Sequence, residues 1–184
     1  MKTRSFVFRF LPLIIFSFIV IILAFFLYEL KQNPAKQNIL KSQLIGNKIP
    51  NVIIQQADNN LITNDKELDF EKYKNRVFAV NFFASWCAPC RVEHEVLEKY
   101  SKDQIIIGIA YKDDISSVKR FLKELGDPYD VLMLDPKGRA AIDLGLYGVP
   151  ETYFIDSKGK IKYRQVGPLT VKKFENILKS LKVN

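Results

Sequence analysis

Apolar residues fall into three patterns along this chain, and the first is an unbroken block. Phe10 to Tyr28, FLPLIIFSFIVIILAFFLY, is 19 residues without a charge. It is apolar on every face, whereas a surface helix of a globular domain carries an apolar stripe. At 1.5 Å rise per residue, such a helix covers most of a hydrocarbon layer of about 30 Å. Pro12 stands near its start, where a helix tolerates proline. A cleaved secretion signal has a shorter apolar core and a small-x-small cleavage site. Here Tyr28-Glu29-Leu30-Lys31-Gln32 follows instead, so the block is expected to remain as a transmembrane signal-anchor. Lys2, Arg4 and Arg9 precede it without an acid, while Glu29 offsets Lys31 and Lys36 behind it. That bias places the N-terminus in the cytoplasm and the remainder on the far side, in an oxidising compartment such as a periplasm. The expected division is a cytoplasmic segment over 1–9, the anchor over 10–28, a polar linker over 29–45 containing Asn33-Pro34, and one domain over 46–184.

Short β-branched and aromatic runs make the second pattern, and 3.6-residue periodicity makes the third. Asn51 to Gln55 predicts a strand ahead of an Asp58-Asn59-Asn60 turn, and Leu68, Phe70 and Tyr73 predict a small packed segment. Val77 to Phe83, β-branched and aromatic apart from Ala79 and Asn81, and Ile105 to Ala110 predict strands buried on both faces. Pro89 to Lys102 predicts a helix packing through Val92, Val96, Leu97 and Tyr100. Asp113 or Asp114 is placed to cap a helix over Ile115–Leu125, which Gly126 and Pro128 end. Val131 to Leu134 predicts a strand and Arg139 to Leu144 a short helix. Thr152 to Asp156 and Lys160 to Val166 flank Ser157-Lys158-Gly159 as a hairpin, and Thr170 to Leu181 predicts the last helix. Strands alternating with helices, closed by a hairpin and a helix, define an α/β fold with a central mixed sheet covered by helices on both faces.

The formal charge of +8 raises the question of nucleic acid. Five of the 28 basic residues precede position 37, leaving 23 basic against 19 acidic residues beyond it. They are scattered, without a basic run, and fit a solvated surface. No nucleic-acid partner is expected. Membrane lipid is the expected partner of residues 10–28.

The chain holds two cysteines and one tryptophan, all within Trp86-Cys87-Ala88-Pro89-Cys90. A buried strand leads into this stretch and a helix leaves it. Strand, Cys-x-x-Cys and helix in that order describe a thiol–disulfide redox site. Two intervening residues let the sulfurs close a small ring. The first cysteine then stands at a helix N-terminus, where free N–H groups and the dipole favour the thiolate. A zinc site needs four ligands, and His94 is the one histidine available to join the cysteines. It reads as a surface residue. Haem attachment needs histidine after the second cysteine, where Arg91 stands. A purely structural disulfide would close too small a loop to remove much unfolded-state entropy. Neither a metal nor a cofactor is expected.

Several stretches resemble one family. They are Cys87-Ala-Pro-Cys-Arg-Val-Glu-His94, Tyr111-Lys-Asp-Asp114, Lys123-Glu-Leu-Gly-Asp-Pro-Tyr129, and Asp143 to Thr152 with its Gly148-Val149-Pro150-Glu151-Thr152. From about Gly46 onward the chain resembles the DsbE/CcmG proteins, membrane-anchored bacterial thioredoxin-like proteins of cytochrome c maturation. The resemblance implies a thioredoxin-like fold in which Pro150, after Val149, is cis and faces the dithiol. It implies a thiol:disulfide oxidoreductase of the bacterial inner membrane, single-pass, with its domain in the periplasm. Its implied work is dithiol reduction. The client would be apocytochrome c, whose haem-binding cysteines must be free thiols, or a maturation protein carrying them. Electrons would come from a membrane thiol transporter of the DsbD or CcdA kind. Cys87 is the implied nucleophile and Cys90 the resolving cysteine, with Trp86 and Pro89 beside them. Ordinary thioredoxins carry a buried Asp five residues before the Trp, where this chain has Asn81. That departure turns attention to Glu93 and Glu151 as proton acceptors on an acidic rim beside the sulfurs. The competing functions are a general extracytoplasmic thioredoxin-like reductase or thiol peroxidase, and a non-catalytic haem- or apocytochrome-binding chaperone.

Overall fold

The computed structural model describes residues 4–32, 44–58, 61–62 and 66–182. The chain divides into two units, 1–41 and 42–184. The first contains helix α1, Arg4–Gln32. Its Phe10–Tyr28 segment has a mean hydropathy of 3.1 and is long and apolar enough to cross a membrane. Most of the polar segment expected as a linker lies outside the described residues.

The second unit contains strands β1 (Val52–Asp58), β2 (Leu61–Ile62) and β3 (Lys66–Leu68), a 3-10 turn over Phe70–Tyr73, and strand β4 (Phe78–Phe83). Helix α2 (Ala88–Tyr100), strand β5 (Ile105–Tyr111), helix α3 (Ile115–Leu125) and strand β6 (Val131–Asp135) follow. Helix α4 (Arg139–Asp143), strands β7 (Glu151–Ile155) and β8 (Ile161–Val166), and helix α5 (Val171–Lys182) complete it. The sheet order is β2-β1-β6-β5-β4-β7-β8, with β3 paired to β1. β4, β5 and β6 run parallel, and β1, β7 and β8 pair antiparallel to their neighbours. The mixed sheet is thus present, with two short strands that no periodicity announced.

Alternation along the pleat separates two cores. Ala79, Phe83, Ile106, Ala110 and Phe154 pack with α2, α3 and α5. Phe78, Val80, Phe82, Ile107, Ile109 and Tyr153 pack with α4 and the 3-10 turn on the other side. Fully burying one such side chain contributes about 1.5–3 kcal/mol. Of the two expected caps, Asp114 takes α3, accepting from the Ser116 and Ser117 amides.

Of the face expected for helix α2, Val96 and Leu97 are buried and Tyr100 packs against the core, and Val92 is the exception. Val92 is 69% exposed, whereas Glu93 and His94 are buried beside Leu97. Polar partners let the buried face widen to Glu93 and His94, because each of these side chains has one. His94 Nε2 is 2.9 Å from the Gly126 carbonyl oxygen, and its ring meets Phe121 edge-on at 4.9 Å. Reading His94 as a surface residue is therefore corrected: it joins α2 to the end of α3. Burial pushes its pKa down, towards the neutral ring.

The topology gathers the loops at one end of the sheet. Cys87 follows the C-terminal end of β4, and Lys112 to Asp114 follow that of parallel β5. β7 is antiparallel, with Glu151 opposite Phe82, so Val149 and Pro150 at its start arrive at the same end. The exit of β8 arrives there too, Val166 lying opposite Glu151.

Candidate active site

Cys87 and Cys90 form a disulfide, with Cα atoms 5.3 Å apart. Cys87 is itself the N-cap of α2, and its Sγ accepts from the Cys90 N–H at 3.3 Å. This places one free helical donor on the sulfur that would carry charge after reduction. Pro89 fits the first turn, where its missing N–H costs nothing. Cys87 is 5% and Cys90 1% exposed, so the first sulfur is the more accessible.

Two struts hold this turn. The Ser85 N–H and hydroxyl donate to Asp113 at 2.6 and 3.1 Å, and the indole N–H of exposed Trp86 donates to the Lys112 carbonyl at 3.2 Å. On the opposite side the Val149–Pro150 peptide is cis. The Val149 carbonyl oxygen is 3.5 Å from Cys87 Sγ. The Gly167 N–H donates to the Pro150 carbonyl at 2.9 Å, tying the loop to the end of β8.

Behind the disulfide lies a buried polar chain. Asn81 Nδ2 donates to Glu93 Oε1 at 2.7 Å and to Thr152 Oγ1 at 2.9 Å, while its Oδ1 accepts from the Tyr129 hydroxyl at 2.9 Å. Glu93 Oε2 accepts from the Leu169 N–H at 2.9 Å. Burial pushes the Glu93 carboxyl up to about 7, against the opposing pull of the Leu169 and Asn81 donors. Glu93 is three residues past Cys90, on the same side of α2. A carboxyl there exchanges its proton near neutral pH.

Glu151 sits elsewhere. Register puts it on the side of Phe82, while Asn81 and Glu93 occupy the side of α2. It is fully buried and ion-paired with Arg164, and it accepts from the Tyr147 N–H at 3.1 Å. Arg164 also donates to the Gly145 carbonyl at 2.6 Å and lies 4.1 Å over the Tyr147 ring. The sheet thus separates the two glutamates that the sequence set on one rim.

Gly108 bears on this site indirectly. A Cβ there would lie 2.6 Å from the Tyr129 ring, so side-chain-free backbone is what admits the ring. Gly108→Ala is expected to lower stability by about 1–3 kcal/mol through overpacking, read as a fall in thermal midpoint. An unchanged midpoint would mean the ring moves aside freely.

The comparisons with known proteins point one way. Residues 44–180 match the Redoxin family. The thiol:disulfide interchange protein DsbE of Haemophilus influenzae is 37% identical over 179 residues, 92% of each chain. The chain belongs to the DsbE/CcmG family. The thiol:disulfide interchange protein CycY of Rhizobium leguminosarum bv. viciae is 50% identical over 99 residues, 53% of each chain. The thioredoxin domain of a thiol-disulfide oxidoreductase from Bacteroides vulgatus superposes with a TM-score of 0.59 at 19% identity, covering 74% of this chain and 97% of that one, which establishes the thioredoxin-like fold. This DsbE/CcmG chain is a thiol:disulfide oxidoreductase.

Sequence reasoning missed four side chains that shape the DsbE/CcmG site. Asp113 offered itself as a helix cap and instead holds Ser85. Tyr129 and Thr152 stood inside quoted motifs without a role, and Arg164 gave no sign beyond an unbalanced charge on a strand. Opposite-face alternation from Phe82 and Asn81 was the signal available for sorting Glu151 from Glu93.

Proposed function

We propose that this protein is the periplasmic dithiol reductant of cytochrome c maturation, acting through Cys87 and Cys90 on apocytochrome c or on a maturation protein that carries its thiols. The α1 segment 10–28 anchors it in a bacterial inner membrane with the domain outside. The observation that carries the chemistry is the Cys87–Cys90 disulfide at the start of α2, with Cys87 Sγ capping the helix and Glu93 buried behind.

In the reduced protein, the Cys87 thiolate attacks one sulfur of the client disulfide. A mixed disulfide forms and the client's other sulfur leaves as thiolate. Glu93 takes the Cys90 proton, and the Cys90 thiolate attacks Cys87 Sγ. The second client thiolate leaves, the Cys87–Cys90 disulfide forms, and two electrons have passed to the client. Pro150 and Val149 present backbone to an extended client beside Cys87. Trp86 and Pro89 form the exposed wall next to it. A membrane thiol transporter of the DsbD or CcdA kind returns the two electrons.

Cys90→Ser tests this reading, because the trapped client can no longer be displaced by the neighbouring thiol. Alkylated extracts of cells carrying the full-length variant are expected to yield mixed disulfides with apocytochrome c or cytochrome c maturation proteins. A broad spread of secreted proteins would identify a general reductase instead. Full cytochrome c assembly with Cys87→Ser and Cys90→Ser combined would establish a chaperone.

A further inference from the structure

Tyr129 is a buried phenol that the mechanism above leaves unused. It lies between α3 and β6, its ring stacked on Phe83 at 4.7 Å and pressed against Gly108. Its hydroxyl donates to Asn81 Oδ1 at 2.9 Å. An amide side chain has one accepting end and one donating end, and the two are nearly the same shape. Turned over, Asn81 would set its carbonyl oxygen against Glu93 and offer its NH2 group to the phenol. The carbonyl would then favour a protonated Glu93, the form able to donate to it. The observed orientation favours a Glu93 that accepts, because Nδ2 donates to Oε1 at 2.7 Å.

We propose that Tyr129 is a positioning residue for the resolving step: its O–H fixes the Asn81 amide with NH2 towards Glu93, and so holds that carboxyl ready to take the Cys90 proton. This rests on the reading that Glu93 is the acceptor of that proton. Both hydroxyls can donate or accept. The Tyr129 O–H has Asn81 Oδ1 as its one partner among the described residues, so a turned amide would leave that buried proton without an acceptor for as long as the phenol keeps it. Burial, with the Glu93 and Asp127 charges nearby, pushes Tyr129 well above its ordinary value, so it remains a donor across the working range. The groups bonded around Glu93 are Asn81 from β4, with Tyr129 and Thr152 bonded to that amide, and the Leu169 N–H ahead of α5; Cys90 precedes it by three residues on its own helix.

The test uses the reduced full-length protein and the aromatic disulfide 5,5′-dithiobis(2-nitrobenzoate). Attack by Cys87 releases one aromatic thiolate, and resolution by Cys90 releases the second, so the two absorbance phases separate the steps. Tyr129→Phe keeps the ring on Gly108 and removes the O–H. The midpoint of the second phase against pH is expected to rise by about one unit, with roughly tenfold slower release at pH 6. Adding Tyr129→Phe to Glu93→Gln is expected to cause no further shift. Thr152→Val removes the hydroxyl on the NH2 side and leaves the phenol, so it is expected to move the midpoint by less than half as much. A uniformly slower second phase with an unmoved midpoint would overturn the positioning role, as would equal shifts from Tyr129→Phe and Thr152→Val. If Glu93→Gln alone keeps the parental midpoint, the underlying assignment of Glu93 fails instead.

Discussion

Replacing Glu93 with Gln is expected to slow client reduction by about 10²-fold at pH 7 while making Cys87 a stronger acid. The two effects have opposite signs because, in the proposed mechanism, Glu93 acts on the cysteines in two ways. As a buried carboxylate beside a thiolate it disfavours the second negative charge, so its neutralisation lowers the thiol pKa. As a proton acceptor it makes Cys90 nucleophilic, a general-base contribution of the order of 10²–10⁴. With Glu93 pushed up to about 7, resolution in the parent is expected to rise with pH and level off above that value. The Gln variant should rise only as Cys90 ionises unaided, at or above the ordinary thiol value of about 8.5. Thiolate absorbance near 240 nm and client reduction rates, both followed against pH, measure the pair. A variant with parental rates from pH 6 to 8 would remove Glu93 from the chemistry. Stability carries a further sign. The unfolded carboxyl titrates near its model value of 4.5 and the folded one near 7. Between them the folded state holds the extra proton, so this group's stabilisation is full below 4.5 and is lost as pH rises through 7. The Gln variant should lack that slope in denaturant titrations of the oxidised protein.

The legible parts of the molecule were those governed by local periodicity or local chemistry. Phe78–Phe83, apart from Asn81, and Ile105–Tyr111 are apolar on both faces because helices and loops cover both, so composition announced them. The dithiol turn was equally plain, since Cys87 caps α2 with its own side chain. Leu61–Ile62 and Lys66–Leu68 are too short to show a period, and they are strands only because β1 offers its backbone. On α2, Val96, Leu97 and Tyr100 pack as expected, and Val92, Glu93 and His94 were misplaced for a related reason. Val92 fits an apolar spacing, but Glu93 and His94 have buried partners from β4, the segment before α5 and the end of α3, and these outweigh one valine. Partners distant in sequence are invisible to periodicity. Asn81 marked the departure from an ordinary thioredoxin, yet nothing local showed that Tyr129 would meet it 48 residues later.

Glu151→Gln is expected to cost about 3–5 kcal/mol of stability, lowering the thermal midpoint by roughly 10–15 °C. Arg164 is almost fully buried, and its guanidinium answers to Glu151, the Gly145 carbonyl and the Tyr147 ring. Neutralising Glu151 leaves that cation without its counter-charge in a desolvated place, and such a loss costs more than the pair itself contributes. Arg164→Met should cost a similar amount by stranding the carboxylate. Replacing both residues with Leu removes the two charges together, so its cost should fall well short of the sum. It should still exceed zero, because the Tyr147 N–H and the Gly145 carbonyl lose their partners. Both groups belong to the loop that brings Pro150 to the dithiol. The single variants, assayed well below their midpoints, are therefore expected to retain the Glu93-dependent pH profile and to lose client reduction in proportion to the loosening of that loop. A parental midpoint for Glu151→Gln would show that water reaches Arg164 and that the pair does not brace the loop.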